Sequence, residues 1–304
     1  MKIAILSLHP LHGSTRRLIE VAQQRGHDVE TVRFVECSLT IAADRRTIDY
    51  HGRPLERFDA IIPRIGREQT DYGCAVVRQF QLLGTFNPNS ADGIARSRDN
   101  LATLQQLAAS NVGVPVTTLG PSIDSIDRLV EQVGGLPVAI KLIHQTQANG
   151  NMVLAKSRRT LRSVVQVFDG LAAPSFVQEY IRQAKVDSIR AIVVGAKVAA
   201  SLHRDRKRPS PAGQHLLEKV RLTPEERTTC VRAAKVIGLQ LAGVDLIRTS
   251  HGPVVLDVTP TPSIDRAETA TGVDIAKQIV ELLEKQFARK LRKPPSPSQV
   301  RIRA

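Results

Sequence analysis

Residues 243–259 read GVDLIRTSHGPVVLDVT and place two apolar segments on either side of a short turn. Apolar segments that flank a turn containing glycine predict an antiparallel β-hairpin. If the hairpin is centred on His251, Asp245 and Asp257 lie at equal distances from its centre and face each other. Directly opposed carboxylates repel and destabilise a sheet, so this pair requires a physical explanation.

A divalent cation between the two carboxylates would remove their repulsion, and oxygen ligands of this kind suit Mg²⁺. Thr259 lies two residues beyond Asp257 and shares its face of the strand, so its hydroxyl is a third candidate ligand. The alternative is a register slipped by one residue, in which both acids simply face water. The spacing alone leaves both interpretations open.

Lys141 is the second candidate, because it interrupts the apolar segment at residues 137–143 (PVAIKLI). A lysine in such a strand is costly unless it is paired or meets an anion, for example a nucleotide phosphate. The alternative is a lysine on the solvent face of an edge strand. Further along, Gln178, Glu179 and Tyr180 close another apolar strand and resemble a hinge whose backbone groups read an adenine edge.

The first part of the chain alternates between strands and helices, which predicts a parallel α/β sheet. The predicted strands are residues 2–8, 27–34 and 59–64, and the predicted helices end at Gly26 and Gly84. No G-x-G-x-x-G sequence follows the first strand, so a dinucleotide-binding domain lacks its fingerprint.

The second and third parts have a different order of elements, with strands joined by loops and only occasional helices. Four helices are predicted: one at residues 96–110, one that starts at Ser157, one capped by Thr223 and one at residues 273–288. The predicted strands are residues 114–117, 137–143, 152–154, 175–180, 189–194 and 197–202. This order indicates α+β domains. We expect an α/β domain at residues 1–93, a small α+β domain at 94–173, a larger one at 174–290 and a basic Pro/Ser-rich tail at 291–304.

The composition favours a cytoplasmic globular protein. Hydrophobic residues make up 42% of the 304-residue chain and charged residues 24%, which is ordinary for two or three packed domains. Residues 1–7 fit a buried strand better than a signal peptide, and no apolar segment is long enough to cross a membrane. Cys37, Cys74 and Cys230 are widely spaced, which favours reduced thiols.

The net charge of +14 indicates an anionic partner. Nucleic acid is disfavoured as the main ligand because aromatic residues are only 3% of the chain and tryptophan is absent, so stacking platforms are few. Acidic small molecules fit the charge at least as well. Part of the excess is local, at residues 204–208 and along the C-terminal segment from Lys285.

Taken together, several short segments resemble the RimK family of ATP-grasp ligases over nearly the whole chain. They are residues 1–7 (MKIAILS), 62–66 (IPRIG), 94–99 (IARSRD), 177–181 (VQEYI), 242–248 (AGVDLIR) and 271–276 (TGVDIA). The resemblance implies an α/β and α+β protein with an ATP-grasp fold and an N-terminal Rossmann-like (pre-ATP-grasp) domain. ATP would lie between the second and third domains.

The resemblance also implies a reaction. Such enzymes phosphorylate a carboxylate with ATP, and an amine then displaces the phosphate. The cofactors would be ATP and Mg²⁺ (or Mn²⁺), the amine would belong to glutamate or a similar amino acid, and the acceptor would be a small carboxylate or a ribosomal protein tail. The sequence leaves a homo-oligomer open.

Roles carried over by position fall on the residues already noted and on three more. Lys141 would contact phosphates and act in catalysis with Arg190. Gln178, Glu179, Tyr180 and Asp187 would border the nucleotide, and Asp245, Asp257 and Thr259 would hold the metal. Arg64 would meet a substrate carboxylate, unless it is an ordinary surface arginine.

The chain departs from the family pattern at several of these places. Asn100 and Ser188 stand where the family has a phosphate-binding lysine and an aspartate, and Asp257 and Thr259 replace a glutamate and an asparagine. Residues 145–150 are poor in glycine, and residues 204–209 (RDRKRP) replace other motifs. A ligase with altered specificity is favoured, against a non-catalytic nucleotide-binding scaffold and a basic RNA- or ribosome-associated factor.

Overall fold

A computed structural model of the chain describes residues 1–119, 126–143, 152–171, 175–181, 188–209 and 215–292. Within these ranges, no helix is long and apolar enough to cross a membrane. The strands form four separate sheets rather than one continuous doubly wound sheet. The predicted combination of α/β and α+β domains is therefore confirmed.

The N-terminal domain is built on a parallel sheet of three strands in the order β2-β1-β6. Its elements in chain order are β1 (Lys2–Leu6), α1 (Gly13–Gln24), β2 (Asp28–Val32), β3 (Cys37–Ile41), β4 (Arg46–Tyr50), β5 (Arg53–Pro54), β6 (Ala60–Pro63) and α2 (Thr70–Leu82). β6 is buried along its whole length, as expected for a parallel strand covered on both faces.

The antiparallel sheet β3-β4-β5 was not predicted from the sequence. Its strands are short, but β3 (CSLTI) alternates apolar and polar residues, so the sequence carried a strand signal that was overlooked. The buried side chain of Gln79 on α2 holds two of them by donating to the carbonyls of Thr40 at 3.0 Å and Thr47 at 3.2 Å. This sheet is therefore attached to the domain by side-chain hydrogen bonds as well as by apolar packing.

The helix predicted at residues 96–110 is present but begins only at Asn100, and a short helix that was not predicted precedes it. The two helices are α3 (Ala91–Arg96) and α4 (Asn100–Ala109). Ser97 is the C-cap of α3, and Asp99 caps α4 by accepting a hydrogen bond from the Ala102 amide at 2.9 Å. An aspartate N-cap requires a non-helical backbone, so α4 begins after Asp99 and not at Arg96.

The small domain contains an antiparallel sheet of four strands in the order β7-β10-β8-β9. Its elements are β7 (Thr117–Thr118), α5 (Ile126–Gln132), β8 (Val138–Leu142), β9 (Met152–Ala155), α6 (Arg158–Gly170) and β10 (Ser175–Glu179). β7 is shorter than predicted. β10 pairs with β8, although the predicted boundary after residue 173 places it with the third segment.

The large domain contains an antiparallel sheet of five strands in the order β13-β12-β11-β14-β15. Its elements are β11 (Ser188–Val194), β12 (Lys197–Pro209), β13 (His215–Lys219), α7 (Pro224–Ile237), β14 (Leu241–Thr249), β15 (Gly252–Thr259), α8 (Ile264–Thr271) and α9 (Ile275–Arg292). The predicted cap of α7 is confirmed: Thr223 and Glu226 form a reciprocal capping box.

The N-terminal and large domains are packed on shared apolar cores. One core combines Leu6 and Phe80 of the first domain with Val244 of the large sheet. Buried Asn89 adds a polar link, since its amide donates to the carbonyls of Leu241 and Pro260 and its carbonyl accepts from the amides of residues 240 and 241. The ends of β14 and β15 are therefore fixed against the first domain.

Candidate active site

The β14–β15 hairpin brings Asp245 and Asp257 directly opposite each other, as predicted. The predicted centre at His251 is wrong, because Thr249 pairs with Gly252 and the turn is centred between Ser250 and His251. A bulge leaves Leu256 without a pairing partner and restores the alignment of the two acids. The alternative with a slipped register is therefore also wrong.

The opposed acids create an unfavourable charge distribution. The pKa of Asp257 is raised above its ordinary value, chiefly by burial and secondly by the charge of Asp245. The positive charges of Arg67, Arg190 and Lys141 act in the opposite direction. Asp257 therefore lies where negative charge is costly and where cations from three different segments converge.

Arg190 neutralises Asp245 across the neighbouring pair of strands. The two residues face each other in the β11–β14 ladder, and Nε and Nη2 of Arg190 donate to Oδ1 and Oδ2 of Asp245, each at 2.6 Å. Their side chains are 22% and 13% exposed. Burial lowers the pKa of Arg190, but the ion pair outweighs burial and raises it. The pair is a bidentate, mostly buried ion pair.

Gly243 makes room for this arrangement. It pairs with Thr259, and a Cβ atom at position 243 would lie 2.9 Å from Cγ2 of Thr259 and 3.9 Å from Cδ of Arg190. A larger residue would therefore push Thr259 away, whereas the distance to Arg190 is an ordinary van der Waals contact. Thr259 lies on the same face of β15 as Asp257, at the position predicted for a third oxygen ligand.

Lys141 approaches the hairpin from the small domain. It lies on β8, an inner strand between β10 and β9, so the edge-strand alternative is wrong. Its side chain is half-buried, and its charge lowers the pKa of Asp257. The fold thus brings Lys141, Arg190 and the two acids, which are far apart in the sequence, into one site.

Asn100 adjoins the end of the strand that carries Lys141. Its side-chain amide donates to the Leu142 carbonyl at 3.1 Å, and its backbone amide donates to the Ile143 carbonyl at 3.1 Å. Asn100 therefore supports the strand but brings no charge to the site.

The predicted adenine hinge has a clear structural role. Nε2 of the buried Gln178 donates to Oγ1 of Thr117 at 2.8 Å. Glu179 exchanges two hydrogen bonds with the backbone of Val116, at 2.9 and 3.0 Å. Tyr180 follows directly after β10 and is half-buried. The side chains of Gln178 and Glu179 therefore hold the edge of the small sheet.

Arg64 is half-buried, not freely exposed. Its Nη1 donates to the Pro262 carbonyl at 2.9 Å. Burial lowers the pKa of Arg64 to about 10, although the charge of Asp265 opposes this shift. Arg64 thus connects the segment after β6 to the segment after β15.

Sequence reasoning missed two arginines beside Asp257. Nη2 of Arg67 lies 3.7 Å from Oδ2 of Asp257, and Arg98 is only 9% exposed. Both lie in short connections without hydrophobic periodicity. Arg98 lies within the segment 94–99 (IARSRD) and Arg67 directly after the segment 62–66 (IPRIG), both of which resemble the family, but the resemblance assigned neither arginine a role. Asp187 and residues 145–150 lie outside the described residues.

The fold and this site together define the ATP-grasp class. Solved structures with similar folds include the ATP-grasp ligase PsnB complexed with minimal precursor, Mg and ADP, with a TM-score of 0.71, 18% identity and coverage of 95% of this chain and 98% of that one. The RimK domain ATP-grasp protein from Sphaerobacter thermophilus has a TM-score of 0.73 at 22% identity and covers 93% and 99%.

Comparisons of the sequence give a more specific assignment than the fold class. A RimK PreATP-grasp domain model matches residues 1–94, and a RimK-like ATP-grasp domain model matches residues 97–283. A probable alpha-L-glutamate ligase from Picosynechococcus is 49% identical, covering 95% of this chain and 97% of the relative. One from Hydrogenovibrio crunogenus is 47% identical, covering 94% and 96%. The chain belongs to the RimK-like ATP-grasp family, which confirms the resemblance seen in the sequence.

Proposed function

We propose that this protein is an ATP-dependent ligase that joins glutamate, or a similar amino acid, to a carboxylate acceptor. The observation that carries the proposal is the pair Asp245 and Asp257, opposed in one ladder and surrounded by Lys141, Arg190 and Arg67. The names of the relatives, probable alpha-L-glutamate ligase at 44–49% identity, support the choice of amino acid.

The donor set fits Mg²⁺ or Mn²⁺ delivered with a nucleotide. Among the described residues, no group of three or more His, Cys, Asp or Glu side chains is arranged to hold a metal. Mg²⁺ in nucleotide sites is commonly held by one or two carboxylates together with substrate phosphates. Asp245 and Asp257 would supply those carboxylates, and Thr259 an additional oxygen. When bound, the cation would neutralise part of the negative charge on the phosphates.

The chain's own residues would bind and orient the reactants. Lys141 and Arg190 provide fixed positive charges on facing sheets, where they would stabilise charge that develops as phosphate is transferred. The acceptor carboxylate oxygen would attack the terminal phosphorus of ATP, and ADP would leave. The amino-acid nitrogen would then attack the acyl carbon, lose a proton and release phosphate, which completes the C–N bond.

The remaining expected contacts belong to the same proposal. The backbone at residues 179–181 would border adenine, since the side chains of Gln178 and Glu179 are occupied at the sheet edge. Asp187 would lie near the nucleotide, and Arg64 would face the substrate side. The acceptor would be a small carboxylate or a protein C-terminal tail. The free thiols at three buried cysteines suit the cytoplasm.

A non-catalytic nucleotide-binding scaffold is the second candidate. It is favoured by two observations: Asn100 brings no charge to the phosphate side, and Arg190 occupies both oxygens of Asp245. The two candidates differ in turnover rather than in nucleotide binding.

Calorimetry with ATP and Mg²⁺, followed by an assay of ADP release with L-glutamate, tests the proposal. A ligase binds ATP only weakly without the metal and releases ADP when glutamate is added. A scaffold binds the nucleotide but releases no ADP. A protein that binds no nucleotide excludes both.

A further inference from the structure

Arg67 and Arg98 lie beside the hairpin, close to Asp257, and Arg64 precedes Arg67 in the same segment. Arg64 and Arg67 lie in the segment after β6, and Arg98 lies between α3 and α4. Nη2 of Arg98 donates to the Ile65 carbonyl at 2.8 Å and to Oγ1 of Thr261 at 3.3 Å. Arg98 thereby fixes the segment that carries the other two arginines.

Each of these arginines keeps one buried N–H group for which the described residues offer no acceptor. The atoms are Nε of Arg64, Nη1 of Arg67 and Nε of Arg98. The side chain of Arg67 is 15% exposed, and Arg98 is 9% exposed. Buried donors are almost always paired because an unpaired one is costly. Two of these donors, on Arg67 and Arg98, lie near each other beside Asp257 and indicate a place for an external acceptor.

The charges in this neighbourhood also favour an anion. Burial, and secondly the charge of Arg67, lower the pKa of Arg98 to about 10, while the charge of Asp257 opposes the shift. The two arginines therefore repel each other across a region from which water is largely excluded. Asp257 lies close to Arg67 but also faces Asp245 and Lys141, so it compensates these arginines only in part.

We propose that Arg67 and Arg98 form a carboxylate-binding pocket that holds an acidic group of the substrate beside the ATP-grasp site. This inference rests on the proposed ligase function and names the substrate feature that the site selects. Arginine donors arranged as a fork suit the two oxygens of a carboxylate. The carboxylate belongs either to the incoming amino acid or to the acceptor, and selection for acidic substrates over neutral ones follows from this pocket.

Direct binding tests the pocket without requiring turnover. Glutarate, a dicarboxylate without an amine, is titrated calorimetrically into the protein in the presence of Mg²⁺ and a non-hydrolysable ATP analogue. We expect wild type to bind glutarate and Arg67→Gln to bind it about 10- to 100-fold more weakly, the usual effect of losing a charge-assisted hydrogen bond. Affinity for the ATP analogue should change much less than affinity for glutarate.

The matched control is Arg78→Gln. Arg78 lies on α2 of the same domain, and its ion pair with Asp92 at 2.7 Å is exposed. We expect this variant to bind glutarate like wild type. Arg98→Lys should also weaken glutarate binding, and its melting temperature reports whether the lost contact with Ile65 unfolds the protein. If it does, Arg67→Gln carries the test, because Arg67 makes only the longer contact with Asp257.

Steady-state kinetics separate the two sources of the carboxylate. An increase in KM for L-glutamate alone in Arg67→Gln assigns the pocket to the incoming amino acid. An increase in KM for L-glutamyl-L-glutamate alone, used as an acidic acceptor, assigns it to the acceptor end. Either result supports the pocket when the increase exceeds any change in KM for ATP, and a change in KM for ATP alone contradicts it.

Three results would overturn the proposed pocket. The wild-type protein could fail to bind glutarate, or Arg67→Gln could bind glutarate as tightly as wild type does. In the third case, the variants would lose affinity for inorganic phosphate but keep their affinity for glutarate. Wild type that binds glutarate but releases no ADP with either acidic substrate would refute the ligase function and leave the pocket supported. The two failures are therefore distinguishable.

Discussion

Replacing Asp245 by asparagine should destabilise the protein as well as abolish metal-dependent activity. In the structure, Asp245 accepts two charge-assisted hydrogen bonds from Arg190, each at 2.6 Å. An asparagine keeps only one oxygen acceptor and turns its amide donors towards a guanidinium group that can only donate. The buried charge of Arg190 is then left without its counter-ion.

The magnitude follows from the burial of the pair. Because the side chains of Arg190 and Asp245 are only 22% and 13% exposed, solvent screens them little. Breaking a buried ion pair from one side costs several kcal/mol, and we expect about 3 kcal/mol for Asp245→Asn. For a protein of this size, that corresponds to a fall in melting temperature of about 5 °C.

A double-mutant cycle measured by urea unfolding is the appropriate assay. Asp245→Asn combined with Arg190→Gln removes both charges, so the double variant should be more stable than the sum of the single effects predicts, by about 1–3 kcal/mol. Asp92→Asn, which breaks an exposed pair with Arg78, should cost less than about 1 kcal/mol. Strict additivity, or an Asp245→Asn variant as stable as wild type, would refute the reasoning.

Three further predictions concern the polar link between two domains, the stability of the protein at acid pH and the rate of turnover. Asn89→Ala should reduce the free energy of unfolding by about 3 kcal/mol, because it leaves buried backbone groups of Leu241 and Pro260 unpaired. Urea titrations measure this loss, and a loss below about 0.5 kcal/mol would contradict the prediction. The ion pair with Arg248 lowers the pKa of Glu226 from its ordinary value of 4.5. The ion pair therefore stabilises the fold fully above pH 4.5, and this stabilisation is lost as the pH falls through the lowered pKa. Glu226→Gln should flatten the acid side of a plot of melting temperature against pH, and an unchanged acid slope would disprove that Glu226 stabilises the fold in this way. Asn100→Lys should raise kcat with little change in ATP affinity, since the added charge acts mainly on the transition state; unchanged turnover in a variant that binds ATP would argue against a slow ligase.

The sequence predicted the parts of the fold that depend on local pattern. The capping box at Thr223 is local chemistry, and the α/β order of the first domain follows from alternating apolar segments. The start of α4 was predicted four residues too early although Asp99 is a good N-cap residue, and the short helix α3 before it was missed. The sheet β3-β4-β5 was missed although β3 alternates apolar and polar residues, because its strands are short and the hydrogen bonds from Gln79 that hold them come from a distant helix.

The candidate site was only partly predictable for a related reason. The pairing of Asp245 with Asp257 was predicted from symmetry about the turn, but it depends on a bulge at Leu256 that sequence spacing cannot locate. The partnership of Arg190 with Asp245 requires knowing that β11 lies beside β14. Arg67 and Arg98 become neighbours of Asp257 only through contacts between domains.

The most direct test of the ligase proposal is product formation by the purified protein. The protein is incubated with ATP, Mg²⁺ and L-glutamate, with and without L-glutamyl-L-glutamate as acceptor, and ADP release and product mass are followed together. The account predicts ADP release that requires both Mg²⁺ and the amino acid, a product one glutamyl residue heavier than its acceptor, and loss of both signals in Asp257→Asn. A folded wild-type protein that binds ATP but yields no amino-acid-dependent ADP and no heavier product would contradict it.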